Sequence, residues 1–183
     1  SMQAEGALFS FLIPATPELF AYYAKFGYTP CFRFGWKTIK ANGMVPSDGS
    51  LMVDVVDQPS DCLAYLRAKM QERPLCVQHP ISDLRAVADD MRLAGDTMWV
   101  TRRGDNIVAL AICRNETDGT LLRECVHDDK EAHDALINAI ASHYGRTELD
   151  VLDTTGHEGD FFGMARIIHA GDMLDVYAQL HPE

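Results

Sequence analysis

Residues 11–30, FLIPATPELFAYYAKFGYTP, pack the end of a strand, a helix and a return to extended chain into one short stretch. The apolar run ALFSFLI at 7–13 stops at Pro14 and reads as a buried strand. Thr16 is placed to cap the helix that follows. Pro17 at its first position lacks only an N–H that would have no partner there, and Glu18 faces the positive end of the helix dipole. Leu19, Tyr22, Tyr23 and Phe26 recur at helical spacing, and Gly27 supplies the left-handed close. Beyond it Phe32, Phe34 and Trp36 alternate with Arg33, Gly35 and Lys37, a half-exposed strand reaching about residue 39.

From residue 41 the periodicity weakens. ANGMVPSDG and DQPSD flank the apolar run LMVDVV, so 41–60 reads as a loop, a short strand and a linker. A helix is expected over 61–72 with Leu63, Leu66 and Met70 inward and Pro74 stopping it, then a strand at 75–79. Ser82 is expected to cap the next helix, whose stripe is Leu84, Val87 and Met91 and whose end is Gly95. Strands at 98–102, 107–114 and 120–126, joined at RGDN and ETDG, form an antiparallel meander. A helix over 129–144 then buries Ala132, Leu136, Ile140 and Tyr144 and ends at Gly145. Strands at 149–152 and 164–168 and a helix over 172–180 complete the order.

The 183 residues are 47% hydrophobic and 23% charged, the balance of an ordinary folded protein. No apolar run approaches the roughly 20 residues of a membrane helix and no secretory signal opens the chain, so a soluble, cytoplasmic protein without a membrane partner is expected. Ser1 ahead of Met2 reads as a scar before an internal start, and the chain is expected to be cut from something longer. Cys31, Cys62, Cys76, Cys113 and Cys125 are odd in number, widely spaced and without a C-x-x-C pair, which predicts buried reduced thiols and neither a disulfide framework nor a zinc site. A net charge of −11 argues against nucleic acid and suits a cationic small molecule.

The order of elements over 75–153 resembles the GNAT (GCN5-related) N-acetyltransferase superfamily. Leu19, Phe20, Tyr23, Gly27 and Tyr28 are similar to a helix signature in the later part of that fold, and FFGMARII at 161–168 resembles a Gly-Met-x-Arg segment near the end of tandem members. The resemblance implies an α/β (α+β) fold with a mixed, mostly antiparallel central sheet flanked by helices. It also implies a division: residues 1–46 as the end of one GNAT domain, 47–60 as a linker, and 61–183 as a divergent second GNAT-like domain. The implied activity of the parent protein is acetyl transfer from acetyl-CoA to a small-molecule or peptide amine. The rival reading is a non-catalytic binding or oligomerisation module, since fold alone does not secure function.

In that superfamily a glycine-rich turn between a strand and a helix grips the CoA pyrophosphate through free N–H groups. The corresponding stretch here, 126–134, has no glycine and carries Asp128, Asp129 and Glu131, so no cofactor is expected in the second domain. Tyr23 matches the tyrosine that gives a proton to the departing thiolate in many members. Glu124 is read as sharing a strand face with Leu122 and Val126, either as a base toward an amine or as a residue paired with Arg123 or Arg166. His127, Asp129 and His133, and likewise His157, Glu158 and Asp160, suggest ligands by type, but their spacing assigns no metal. Cys125 with His127 as a hydrolase pair lacks a third partner. Met164 is expected to fill core and Arg166 to pair with an acid. The aromatic set Phe9, Phe11, Phe32, Phe34 and Trp36 reads as core or as the contact surface of a homo-oligomer.

Overall fold

The computed structural model describes residues 6–43, 49–56, 62–73, 76, 78, 80–153 and 159–181. Its contacts define two compact units, Ser1–Gly35 together with Thr154–Glu183, and Trp36–Asp153. Of the expected linker at 47–60, residues 49–56 are described and hold the expected short strand, at Met52–Val55, whereas most of the strand expected at 75–79 lies outside the described residues.

The first unit holds β1 (Phe9–Leu12), α1 (Pro17–Ala24), the start of β2 (Thr29–Lys40), β8 (Asp160–Ile167) and α5 (Ala170–Leu180). β8 lies between β1 and β2 and is antiparallel to both. α1 begins as expected at Pro17, but Thr16 makes no side-chain cap; its carbonyl instead accepts from the Leu19 N–H at 3.1 Å. The two sequence motifs of this unit meet physically. Arg166 Nη1 donates to the Phe26 carbonyl at 3.0 Å, beside the end of α1, and its guanidinium stands 5.2 Å from the centre of the Tyr28 ring. Gly27, at φ +82°, takes the left-handed conformation that favours glycine, and an added Cβ would also lie 3.3 Å from the Arg166 side chain. Arg166 thus pairs with a carbonyl and a ring rather than with the expected acid, because a helix C-terminus offers partial negative charge without a carboxylate.

The second unit holds the rest of β2, then β3 (Met52–Val55), α2 (Leu63–Gln71), α3 (Ile81–Leu93), β4 (Thr97–Arg103), β5 (Asn106–Asn115), β6 (Thr120–His127), α4 (Lys130–Tyr144) and β7 (Glu148–Asp153). Its strands run in the order β2-β7-β6-β5-β4-β3. The meander β4–β5–β6 is antiparallel and β6 pairs with β7 in parallel, so the sheet is mixed and mostly antiparallel, with helices on both faces. One face packs Trp99, Val108, Ala111 and Leu122 against Leu136, Ile137 and Ile140 of α4. The other packs Met98, Val100, Leu110 and Ile112 against Leu63 and Leu66 of α2 and Leu84 and Ala88 of α3. Ala88 takes the inward place expected of Val87, which is exposed. Pro80 rather than Ser82 precedes α3; the Ser82 hydroxyl bonds to Asp83 instead. Cys62 and Cys113 are buried as expected, whereas Cys31 is exposed on β2.

Two local irregularities aim side chains. Thr101 pairs with Ala109 and Arg102 with Ile107, so β5 carries one extra residue, Val108, and turns both Val108 and Ala109 toward α4. Ile112 pairs with Glu124 and Cys113 with Leu122, so β6 carries an extra residue at Arg123. Asp96, its side chain almost fully buried, receives Arg114 Nε at 2.6 Å and Arg123 Nη1 at 2.9 Å and ties the starts of β4 and β6 to the end of β5. Asn138 of α4 accepts the N–H groups of Asn42 and Gly43 at 2.9 and 3.1 Å, fastening the end of the chain that leaves β2.

Leu136→Ala removes a wholly buried side chain from the α4 face and should cost about 2–5 kcal/mol, read as a lowered urea midpoint at constant slope. Gly159→Ala places a Cβ 2.1 Å from the Phe34 carbonyl oxygen at φ +112°, and should destabilise by more than the roughly 1–3 kcal/mol of backbone strain alone. A thermal melt indistinguishable from the parent would contradict that close approach.

Candidate functional site

The C-terminal half of β6 and the start of α4 gather most of the titratable side chains singled out by sequence. β6 pairs with β7 at Leu121–Asp150 and Leu122–Val151. The extra residue at Arg123 then breaks the alternation of faces: Leu122 and Cys125 join the core under α4, while Glu124 and Val126 point to the side of α2. Glu124 therefore does not share a face with Leu122, contrary to the strict alternation read from sequence.

Glu124 is held by Arg73, which follows α2. Arg73 Nη1 donates to Glu124 Oε2 at 3.0 Å and Nη2 to Oε1 at 2.5 Å, a bidentate fork that raises the guanidinium's affinity for its proton. The expected partners are engaged elsewhere, Arg123 with Asp96 and Arg166 with Phe26. One turn back along α2, Lys69 Nζ stands 2.9 Å from Asp128 Oδ1, and the Tyr65 hydroxyl donates to the same oxygen at 3.0 Å. Burial and that hydrogen bond push the Tyr65 phenol upward. Sequence reading missed this triad, yet Tyr65, Lys69 and Arg73 recur every fourth residue, the spacing of one helical face.

At the start of α4, Asp129 is the cap. Its Oδ1 accepts the Ala132 N–H at 2.8 Å, and its Oδ2 takes Arg103 Nη1 at 2.9 Å. Arg103 reaches Glu131 with its other arm at 3.1 Å. The Arg103 guanidinium and the Ala132 N–H hold the Asp129 carboxyl below its ordinary range. Asp128, the residue before, extends the ladder by donating its N–H to the Val108 carbonyl at 2.8 Å. Arg103 was not foreseen; the RRGD turn that carries it reads only as a hairpin.

His127 and His133 lie with their rings 4.7 Å apart, and burial and the neighbouring imidazole depress His127. Asp129 turns away from them to Arg103, and His133 contacts Asp134 at 3.3 Å. Among the described residues no group of three His, Cys, Asp or Glu is placed to hold a metal ion. His157 and Glu158 lie outside the described residues, and Asp160 opens β8. The Cys125 thiol is pushed up to about 12 by burial and by Glu124, which leaves it protonated and unsuited to nucleophilic attack beside His127.

Tyr23 belongs to the other unit. It is half-buried near the end of α1, its ring 5.2 Å from Tyr22 and 6.0 Å from Tyr28 in edge-to-face contacts. Met164 is fully buried in β8, in core as expected. Phe11 and Phe32 meet edge to face, as do Phe34 and Phe162, while Phe9, Phe11 and Trp36 keep exposed rings. No helix among the described residues is long and apolar enough to cross a membrane.

No protein-family model and no curated protein matches the chain. Solved structures do. A conserved protein of unknown function from Enterococcus faecalis V583, described as a probable N-acyltransferase, aligns with 91% of this chain and 47% of its own at 15% identity and a TM-score of 0.69. A GCN5-related N-acetyltransferase from Anabaena variabilis aligns with 92% of this chain and 48% of its own at 17% identity and a TM-score of 0.62. Eis1 from Mycobacterium abscessus aligns with 94% of this chain and 50% of its own at 12% identity and a TM-score of 0.62. The chain spans about half the length of these structures. At such low identity and over nine-tenths of its length the likeness is one of architecture, and the chain has the fold of the GCN5-related N-acetyltransferases.

Proposed function

We propose that this chain is part of an N-acyltransferase of the GNAT type, which moves an acetyl group from acetyl-CoA to a small-molecule or peptide amine, and that its Trp36–Asp153 unit does not hold the cofactor at the start of α4. The observation that carries the second half is Asp129. A diphosphate seated on the first turn of α4 needs its free N–H groups and a nearby cation. Asp129 already takes the Ala132 N–H and the Arg103 guanidinium, and Asp128 and Glu131 add like charge. The group does not fit there. The acetyltransferase names of the matched structures support the first half, as does the likeness of Leu19, Phe20, Tyr23, Gly27 and Tyr28 to the superfamily's helix signature.

On this reading residues 1–46 close one domain and 61–183 form a divergent second one, and the donor site lies outside the α4 turn. Tyr23 is the proposed general acid. Glu124 is the proposed base only once freed from Arg73, since a bidentate guanidinium stabilises the carboxylate and occupies both its oxygens. The engagement of Asp129 also suits the second reading, in which the Trp36–Asp153 unit is a non-catalytic module kept for shape.

Calorimetric titration of the chain with acetyl-CoA, accompanied by amide shift mapping, should show no perturbation of residues 128–133. Micromolar binding centred on those amides would reverse the assignment. In the active protein that contains this chain, Tyr23→Phe should lower kcat by about 10²–10⁴ with KM unchanged. An unaltered kcat would remove Tyr23 from the chemistry.

A further inference from the structure

His127 ends β6, and His133 stands near the start of α4 with its N–H on the Asp129 carbonyl at 3.1 Å. Both belong to the Trp36–Asp153 unit, and their rings, tilted by 60°, have centres 4.7 Å apart. The His133 side chain is only 18% exposed, and its Nδ1 lies 3.3 Å from Asp134 Oδ1. The carboxylates around the pair are committed to other groups. Asp128 takes Lys69 Nζ and the Tyr65 hydroxyl from α2, Asp129 takes Arg103 from β4 and the Ala132 N–H, and Asp134 takes Lys130. Lys69, which also reaches Glu72, brings a fixed positive charge to the α2 side of His127, and β5 places the uncharged Ala109 opposite it. Partial burial, then His133 and Lys69, hold the His127 imidazole below its usual range against the opposite pull of Asp129 and Asp128.

We propose that the His127–His133 pair is a proton-sensitive joint between β6 and α4, closed while both rings are neutral and loosened when both carry charge. Histidine is the side chain whose charge changes between about pH 5 and 8. Two neutral rings in contact hold the end of the strand to the start of the helix. Two imidazolium ions at the same separation repel, and Lys69 adds to the repulsion from the side of α2. Because the folded protein holds His127 low, the stability that the neutral ring contributes is complete above the unfolded value of about 6.5 and is lost as pH falls through the folded one. Asp129 and Asp134 are themselves held below their ordinary range, chiefly by Arg103 and by Lys130, so they stay ionised through that window while the imidazoles change. The joint makes no use of Tyr23, Glu124 or a cofactor and is independent of the acyltransferase reading.

Imidazole resonances followed from about pH 8 to about pH 5 should show His127 titrating at a higher pH in His133→Gln than in the unmodified chain. Urea unfolding over the same fall in pH should cost the unmodified chain more stability than the double variant His127→Gln, His133→Gln. Hydrogen exchange corrected for its intrinsic pH dependence needs no variant. Protection of the Ala132 and His133 amides should fall at least about fivefold between about pH 7.5 and about pH 5.5, while that of Leu136 and Ile140 deeper in α4 stays level. A His127 titration unmoved by His133→Gln, a double variant that loses as much stability as the parent, or first-turn protection that falls no more than that of Leu136 would each overturn the proposal.

Discussion

β5 is the strand on which the larger unit depends. From Val108 to Cys113 every residue is buried, so neither face of its sheet is free to meet solvent. A strand apolar on both sides requires a cover on each, and the chain supplies α4 for one and α2 with α3 for the other. The two cores meet only through the sheet. Their side chains interdigitate with alternate residues of the same strands, Trp99 on one side and Met98 and Val100 on the other, so a slip of one residue would exchange the two sets. The Asp96 pairs with Arg114 and Arg123 guard the same alignment, since each joins side chains from different strands.

That alignment is interrupted twice, and the interruption in β6 shapes one corner of the unit. The extra residue at Arg123 moves Glu124 to the face of α2, where Arg73 meets it, and from there Lys69 and Tyr65 reach Asp128. Helix α2 is thereby fastened to the end of β6 by charge as well as by Leu63 and Leu66. On the far side of the same corner, Asp129 and Arg103 complete the first turn of α4 from within the chain. A helix start that is satisfied by its own carboxylate gains stability and gives up attraction for an outside anion.

The smaller unit solves a different problem. Its strands come from opposite ends of the chain, and β8 is locked between β1 and β2. Arg166 of β8 then closes onto the end of α1 through Phe26, Gly27 and Tyr28, which explains why the helix signature near residue 20 and the Gly-Met-x-Arg segment near residue 165 occur together. Burial is completed on one side of that sheet only.

Local periodicity in the amino-acid sequence sufficed for the helix opening at Pro17, the meander, and α4 with its glycine end, because each is written as an apolar spacing closed by a turn residue. The acidic first turn of α4 was equally legible, since a missing glycine and three carboxylates are visible without coordinates. The face on which Glu124 lies was not, because a single added residue in a strand leaves no mark on composition and reverses every orientation beyond it. Nor was its partner, since Arg73 follows a different element and any of several arginines would have matched by charge. The insertion of β8 between β1 and β2 belongs to the same class: hydrogen bonds between strands from opposite ends of a chain are chosen by which edges remain unpaired after folding, and only the tertiary structure decides that.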